Sequence, residues 1–228
     1  MTPVVSFVVP CYKLAHLLPD CIASILGQTY GNFEVLIMDD CSPDNTPEIA
    51  RSFQDSRVKH IRNDSNLGQL RNYNNGIGLT RGKYVWLISA DDYLRRSYVL
   101  ERYVNLLDRN PGVGCTFCPG VGVRNRIESD LVRWLSHGQS VHGNCDRIID
   151  GHVLLNKLLN ENTIVAASAM ARRECYERIS FFPLNMPWAG DWYLWCVFAL
   201  YFDVGYFAEP MVCYREHDLS MTSSRTQK

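Results

Sequence analysis

Two adjacent carboxylate pairs, Asp39-Asp40 and Asp91-Asp92, are the groups in this chain best placed to do chemistry. Neighbouring carboxylates repel, so both stay ionised only where something offsets their charge. A divalent cation does this with oxygen ligands from one or two carboxylates plus substrate phosphates. Asp91-Asp92 ends the apolar run Tyr84–Ile88 and reads either as such a cation site or as a solvated turn between strand and helix. Asp39-Asp40 closes a second apolar run. It reads as a helix-capping turn or as an acceptor for the N–H of a base or a ribose hydroxyl. Asp191 lies among Trp188, Gly190 and Trp192 at the start of a long apolar stretch. An N-cap role is the plain interpretation. Yet an ionised carboxylate beside indoles also suits a saccharide, whose C–H faces pack on aromatic rings while the carboxylate takes a hydroxyl proton. Asn66-Leu67-Gly68 followed by Arg71 joins a helix start to a guanidinium, which is either a small anion site or a turn with a surface arginine. His217 is one of six histidines, and composition does not single it out.

The elements that would position these groups alternate. Val4–Val9, Glu34–Met38, Val58–Ile61, Lys83–Ile88 and Val113–Phe117 read as strands, the first a continuous β-branched run of the kind buried on both faces. Helical spacing follows each of the first four: Leu18 to Ile25 with Pro19 in the first turn, a helix capped by Asp44 or Thr46 and running to Phe53, Leu70 to Ile77, and Tyr98–Leu107. Strand and helix in alternation imply an α/β fold with a mostly parallel sheet flanked by helices. Ligands of such sheets sit beyond the carboxyl ends of the strands, where Pro10-Cys11-Tyr12, Asp39-Asp40 and Ser89-Ala90-Asp91-Asp92 fall. The second half is less regular. Residues 124–150 read as polar loops with one helix, Gly151–Leu159 as a helix, Thr163–Ala171 as a strand, Gly190–Leu200 as an apolar helix, and Val204–Phe207 and Met211–Tyr214 as short strands.

The 228 residues carry a formal net charge of -1, so no basic surplus exists to hold a nucleic-acid backbone. A glycine-rich dinucleotide fingerprint after the first strand and a Walker-type loop are both lacking. Nine cysteines at irregular spacing, after a start with no basic leader, predict free thiols in a reducing cytoplasm. Cys115-x-x-Cys118 has no second pair and lies in an apolar run, which favours buried structural thiols over zinc. The run from Trp192 to Phe202 is short of the roughly 20 residues a membrane span needs, and it predicts a core helix, with peripheral membrane contact left open.

In order and spacing these segments resemble the family 2 glycosyltransferases of the GT-A fold, from about Val4 to Thr222. The resemblance rests on Ser6 to Tyr12, Glu34 to Ser42, Asn66-Leu67-Gly68 through Arg71-Asn72 to Gly76-Ile77, and Gly82 to Leu87. It continues in Ala189-Gly190-Asp191-Trp192 and in Tyr214-Arg215-Glu216-His217 with Ser220-Met221-Thr222. It implies one GT-A domain over residues 1–228, with a nucleotide-sugar half to about 118 and an acceptor and base half beyond. It implies an enzyme that moves a sugar, with inversion, from a nucleotide-diphosphate donor of the UDP type to a hydroxyl of a glycan or lipid-linked saccharide, using Mn²⁺ or Mg²⁺. The same resemblance implies Pro10 and Tyr12 at the base, Asp40 on its ring N–H (uracil and thymine alike), Arg71 near the diphosphate and Asp91 near the ribose or metal waters. Asp92 and His217 would hold the metal, Asp191 would be the general base, and Trp188 and Trp192 would pack on sugar. Polysaccharide synthesis in the cytoplasm, at or near the inner membrane face, is the implied setting. Ser89 departs from the family's Asp-x-Asp-Asp pattern, which puts the number of protein ligands in question. A degenerate nucleotide-sugar-binding domain and a nucleotidyltransferase are the competing interpretations; the latter usually has a glycine-rich basic loop where this chain has Pro10-Cys11-Tyr12-Lys13.

Overall fold

The computed structural model describes residues 2–124, 127–128, 142–179 and 181–217. The first half alternates as its patterning predicts: β1 (Val5–Cys11), α1 (Leu18–Leu26), β2 (Phe33–Asp39), α2 (Thr46–Ser52), β3 (Val58–Arg62), α3 (Gln69–Gly78) and β4 (Tyr84–Leu87). β1 and β2 are buried at every position, which is why they read as unbroken apolar runs. Beyond them come β5 (Tyr93–Leu94), α4 (Val99–Arg109), β6 (Val113–Phe117), β7 (Gly120–Arg124), β8 (Ile127–Glu128), β9 (Arg147–Ile149), α5 (Gly151–Leu158), β10 (Met170–Arg172), α6 (Arg173–Ile179), α7 (Gly190–Tyr201), β11 (Asp203–Tyr206) and β12 (Val212–Arg215).

An eight-stranded sheet runs in the order β3-β2-β1-β4-β10-β6-β11-β9. The first four strands are parallel, so the loops after β1, β2 and β4 leave from one edge. β10 enters antiparallel between β4 and β6, β11 runs parallel to β6, and β9 closes the far side antiparallel. A second, four-stranded sheet, β5-β12-β7-β8, brings the end of the described chain back to the loop after β4.

The strand expected over Thr163–Ala171 is a correction. Residues Ala166–Ser168 form a 3₁₀ turn, and the strand runs only from Met170 to Arg172. The local cause is side-chain competition for the backbone. The Ser168 hydroxyl donates to the Val165 carbonyl at 2.8 Å, Trp86 Nε1 donates to the Ala167 carbonyl at 2.8 Å, and the Tyr103 hydroxyl donates to the Ser168 carbonyl at 3.1 Å. These indole and phenol rings belong to a column, Phe7–Trp86–Tyr103–Phe207, with successive centroids 5.5, 4.8 and 5.0 Å apart. The column joins β1, β4 and α4 to the segment leading into β12. Of the stretch 124–150 expected as loops with one helix, Ile127–Glu128 and Arg147–Ile149 are strands; residues 125–126 and 129–141, like Ser220-Met221-Thr222, lie outside the described residues.

α3 packs against β1 and β2 at close range because residue 76 has no side chain: a Cβ there would meet Val8 Cγ1 at 2.5 Å and Met38 Cγ at 2.9 Å. All nine cysteines are free thiols. Cys115 and Cys118 are buried, and burial pushes the Cys118 thiol up to about 11 and Cys115 well above its usual value, as structural thiols require. No described helix is long and apolar enough to cross a membrane. α7, the apolar helix, buries Leu194, Trp195, Phe198 and Ala199 and leaves Leu200 and Tyr201 exposed.

Candidate active site

Three loops meet at the carboxyl edge of the parallel strands and are stitched together by their backbones. Asp40 N–H donates to the Cys11 carbonyl at 3.0 Å, and Ala90 N–H donates to the Pro10 carbonyl at 3.1 Å. Pro10 is buried, whereas Tyr12 is exposed beside Lys13, whose Nζ lies 5.2 Å from the Tyr12 ring centre.

The first acidic pair is spoken for. Asp39 is fully buried; its Oδ2 accepts from Arg62 Nη1 at 2.6 Å and lies 3.1 Å from His60 Nε2, while Oδ1 accepts from Ser42 N–H at 2.8 Å. Burial pushes this carboxyl up, but the Ser42 N–H, the Arg62 guanidinium and His60 outweigh it and hold it below its usual range. Asp40 accepts from Leu67 N–H at 2.8 Å, Asn63 Nδ2 at 2.9 Å and Gly68 N–H at 3.0 Å. It therefore clamps the entry to α3, where Gly68 supplies a φ of +81° that other residues rarely adopt. Asn72 extends the clamp, accepting from Asn63 Nδ2 and donating to the Met38 carbonyl, each at 2.9 Å.

The second pair is left less satisfied. Asp91 Oδ2 lies 2.9 Å from His217 Nε2, while Asp91 Oδ1 is buried without a hydrogen-bond partner. Asp92 is buried, and its Oδ1 accepts the Arg215 N–H at 3.0 Å. Burial first, then the charge of Asp91, pushes the Asp92 carboxyl well above its usual value; the Arg215 N–H and guanidinium offset only part of this. β12 thus delivers both a backbone donor and His217 to this loop. His217, expected to share a metal ion with Asp92, lies against the neighbouring Asp91. The loop itself is tightened through the carbonyl of Ser89, which accepts from Asp92 N–H at 2.9 Å and lies 3.7 Å from Cys21 Sγ.

Asp191 opens α7, in its first turn behind an N-cap at Ala189, so it is not itself the cap. Burial raises its carboxyl above the usual range, against the Trp192 N–H and the Asn162 amide, whose Nδ2 lies 3.4 Å from Asp191 Oδ2. The two flanking tryptophans part company. Trp188 is exposed, but Trp192 packs into the core and its Nε1 donates to the Leu158 carbonyl at 2.6 Å at the end of α5. An open indole face was expected of both; Trp188 has one, and the Trp192 ring is partly covered by the core.

Sequence reasoning passed over Tyr73. It packs on the same core cluster as Leu87 of β4 and Trp192 of α7, and its partner Phe182 is the ring on which Gly190 at the start of α7 closes. Its spacing in α3 reads as a core position, and the ring does pack edge-on against Phe182 at 5.4 Å. Arg71 was expected near the diphosphate of a donor. It is exposed, and two residues along a helix put it on the opposite face of α3 from Tyr73. Among the described residues no group of three or more His, Cys, Asp or Glu side chains is gathered as a ready-made metal site.

The chain matches Glycosyl transferase family 2 over residues 6–179. It belongs to that family. Family members similar to it include an uncharacterized glycosyltransferase of Haemophilus influenzae, 27% identical over 97% of this chain and 68% of its own length. Another is the glycosyltransferase GlyG of Streptococcus pneumoniae, 32% identical over 50% of this chain and 38% of its own. The chain thus spans between about two fifths and two thirds of these relatives. Among solved structures, S. aureus TarS residues 1–349 in complex with UDP-GlcNAc superposes with a TM-score of 0.77 over 96% of this chain and 60% of that one, at 19% identity. The mannosyltransferase PcManGT of Pyrobaculum calidifontis, with GDP-Man and Mn²⁺, gives 0.68 over 100% and 60%, at 20% identity. The GT-A fold expected of family 2 is therefore present.

Proposed function

We propose that this chain transfers a glycosyl group, with inversion, from a nucleoside-diphosphate sugar of the UDP type to a hydroxyl of a glycan or lipid-linked saccharide. The carrying observation is that, at the carboxyl edge of the parallel strands, Asp91 has a buried oxygen without a hydrogen-bond partner and meets His217, which β12 brings back to the loop after β4. The orphaned Asp91 oxygen, with His217 beside it and the buried Asp92 carboxyl next in sequence, suits a divalent ion that would be completed by the donor and not by the protein alone. Asp91 and His217, with Asp92, would hold it, and diphosphate oxygens would fill the remaining positions, in keeping with the Mn²⁺ of PcManGT. When bound, such an ion offsets the charge of the leaving diphosphate.

Asp191 takes the proton of the acceptor hydroxyl as that oxygen bonds to the anomeric carbon and the bond to the diphosphate breaks. Partial burial raises its basicity, and the neighbouring N–H groups and Asn162 orient it. Trp188 offers an exposed indole for the acceptor three residues away. Asp40, occupied by the entry to α3, shapes the base pocket through that segment and Tyr12 borders it. Asp191→Asn is expected to cut turnover by roughly 10²- to 10⁴-fold while donor binding, read by calorimetry with Mn²⁺, stays within about twofold. Full turnover in that variant would remove Asp191 from the role. Release of pyrophosphate in place of a nucleoside diphosphate would point instead to nucleotidyl transfer.

A further inference from the structure

The Tyr73 phenol is held from two directions. Its ring rests against Phe182, which Asn74 grips from both sides: Asn74 Nδ2 donates to the Phe182 carbonyl at 3.0 Å and Asn74 Oδ1 accepts the Phe182 N–H at 2.9 Å. Gly190 lets the start of α7 close on the same ring, since a Cβ there would lie 3.2 Å from Phe182 Cδ1. Gln69, one turn earlier on the same face of α3, donates its Nε2 hydrogen to the phenol oxygen. An amide NH₂ only donates, so it occupies a lone pair of that oxygen and leaves the phenol's own proton to point elsewhere. Burial, followed by the charges of Asp91, Asp191 and Asp92, raises the phenol's pKa, so it keeps that proton at neutral pH.

We propose that Tyr73, aimed by Gln69, donates a hydrogen bond to the departing diphosphate of the donor. This rests on the glycosyltransferase reading above. Of the groups the reaction brings between Asp91 and Asp191, the acceptor hydroxyl is matched to Asp191. The diphosphate oxygens only accept and gain charge as the bond breaks, and Arg71 lies on the opposite face of α3 from Tyr73. A fixed neutral donor aimed at developing charge suits that place, and a phenol supplies it without being captured by a carboxylate as a guanidinium would be.

The test is calorimetric binding of UDP, dTDP and GDP, each with Mn²⁺, and of the matching nucleotide sugar, to wild type, Tyr73→Phe and Gln69→Glu. Tyr73→Phe keeps the ring, so its melting temperature should stay within roughly 4 °C of wild type. It should weaken the preferred nucleoside diphosphate and its sugar equally, by roughly 10- to 100-fold, as loss of a hydrogen bond to a charged group does. Gln69→Glu turns the aiming donor into an acceptor that draws the phenol proton back, so it should mimic Tyr73→Phe, and the double variant should be no weaker than either. Unchanged binding in Tyr73→Phe, with wild type binding well, overturns the proposal alone. Weakening confined to the nucleotide sugar overturns it too, by moving the phenol's partner to the sugar. If wild type binds no nucleoside diphosphate, the glycosyltransferase reading falls and takes the proposal with it.

Discussion

The dipeptide Asp-Asp occurs after β2 and again after β4, and the two copies have opposite fates. After β2, Asp39 meets Arg62, His60 and the Ser42 N–H, while Asp40 accepts three donors at the entry to α3. After β4, one oxygen of Asp91 is buried without a partner and Asp92 is pushed toward its protonated form. The first pair is compensated by the protein and stabilises it. The second is compensated only in part, and a cation with its diphosphate would supply the rest. Identical chemistry at equivalent strand ends is therefore satisfied within the protein in one loop and left open in the other, where the proposed function puts binding, and the neighbouring cations and N–H groups decide which.

The contrast is open to direct attack. The largest effect is expected from Asp92→Asn, which should lower turnover by at least roughly 100-fold and remove the Mn²⁺ dependence of donor binding. Its melting temperature should match or exceed that of wild type, because a buried, repelled charge is neutralised. A marked loss of stability with turnover intact would invert the comparison. Next, Asp39→Asn should cost about 2–3 kcal/mol, as charged hydrogen bonds do, which is a melting shift of roughly 4–12 °C. Donor affinity in the fraction that stays folded should change little; thermal melts and calorimetry together read this.

The smallest effect is a pH signature. The native pKa of Asp92 is raised, so between about pH 4, where an unfolded aspartate titrates, and the native value the folded state binds the extra proton. Its contribution to metal-free stability therefore grows as pH falls through that window. The melting-temperature advantage of Asp92→Asn over wild type should accordingly be largest near neutrality and shrink toward pH 4. Asp39, with its pKa lowered, contributes stability that is complete above about pH 4 and is lost only below it. The deficit of Asp39→Asn should thus stay constant from neutrality to about pH 4 and close only in stronger acid. Parallel curves for the two variants would erase the distinction.

Much of the first half was legible because its central strands are buried on both faces and its helices on one, so periodicity reports burial directly. The carboxyl-edge positions of Pro10, Asp40 and Asp91-Asp92 followed from that order. The second half was harder. β10 is three residues long and antiparallel, and the 3₁₀ turn before it is set by Trp86 and Tyr103, which are far away in sequence. Local composition carries no trace of such partners.

Within the site the same division holds. Residue order alone determined that acidic groups crown the parallel strands and that Asp191 opens an apolar helix, because a chain with this alternation has few ways to bury its strands. Which carboxylate meets His217, which tryptophan stays in solvent, that Arg71 faces away and that Tyr73 faces in were decided only when β12 returned to the loop after β4 and α7 closed on α3. Those are contacts between segments 100 residues or more apart in several cases, such as Arg215 with Asp92, 123 positions away, and Asn74 with Phe182, 108 positions away. Periodicity says which side of an element is buried; it does not say what lies on the other side of the contact.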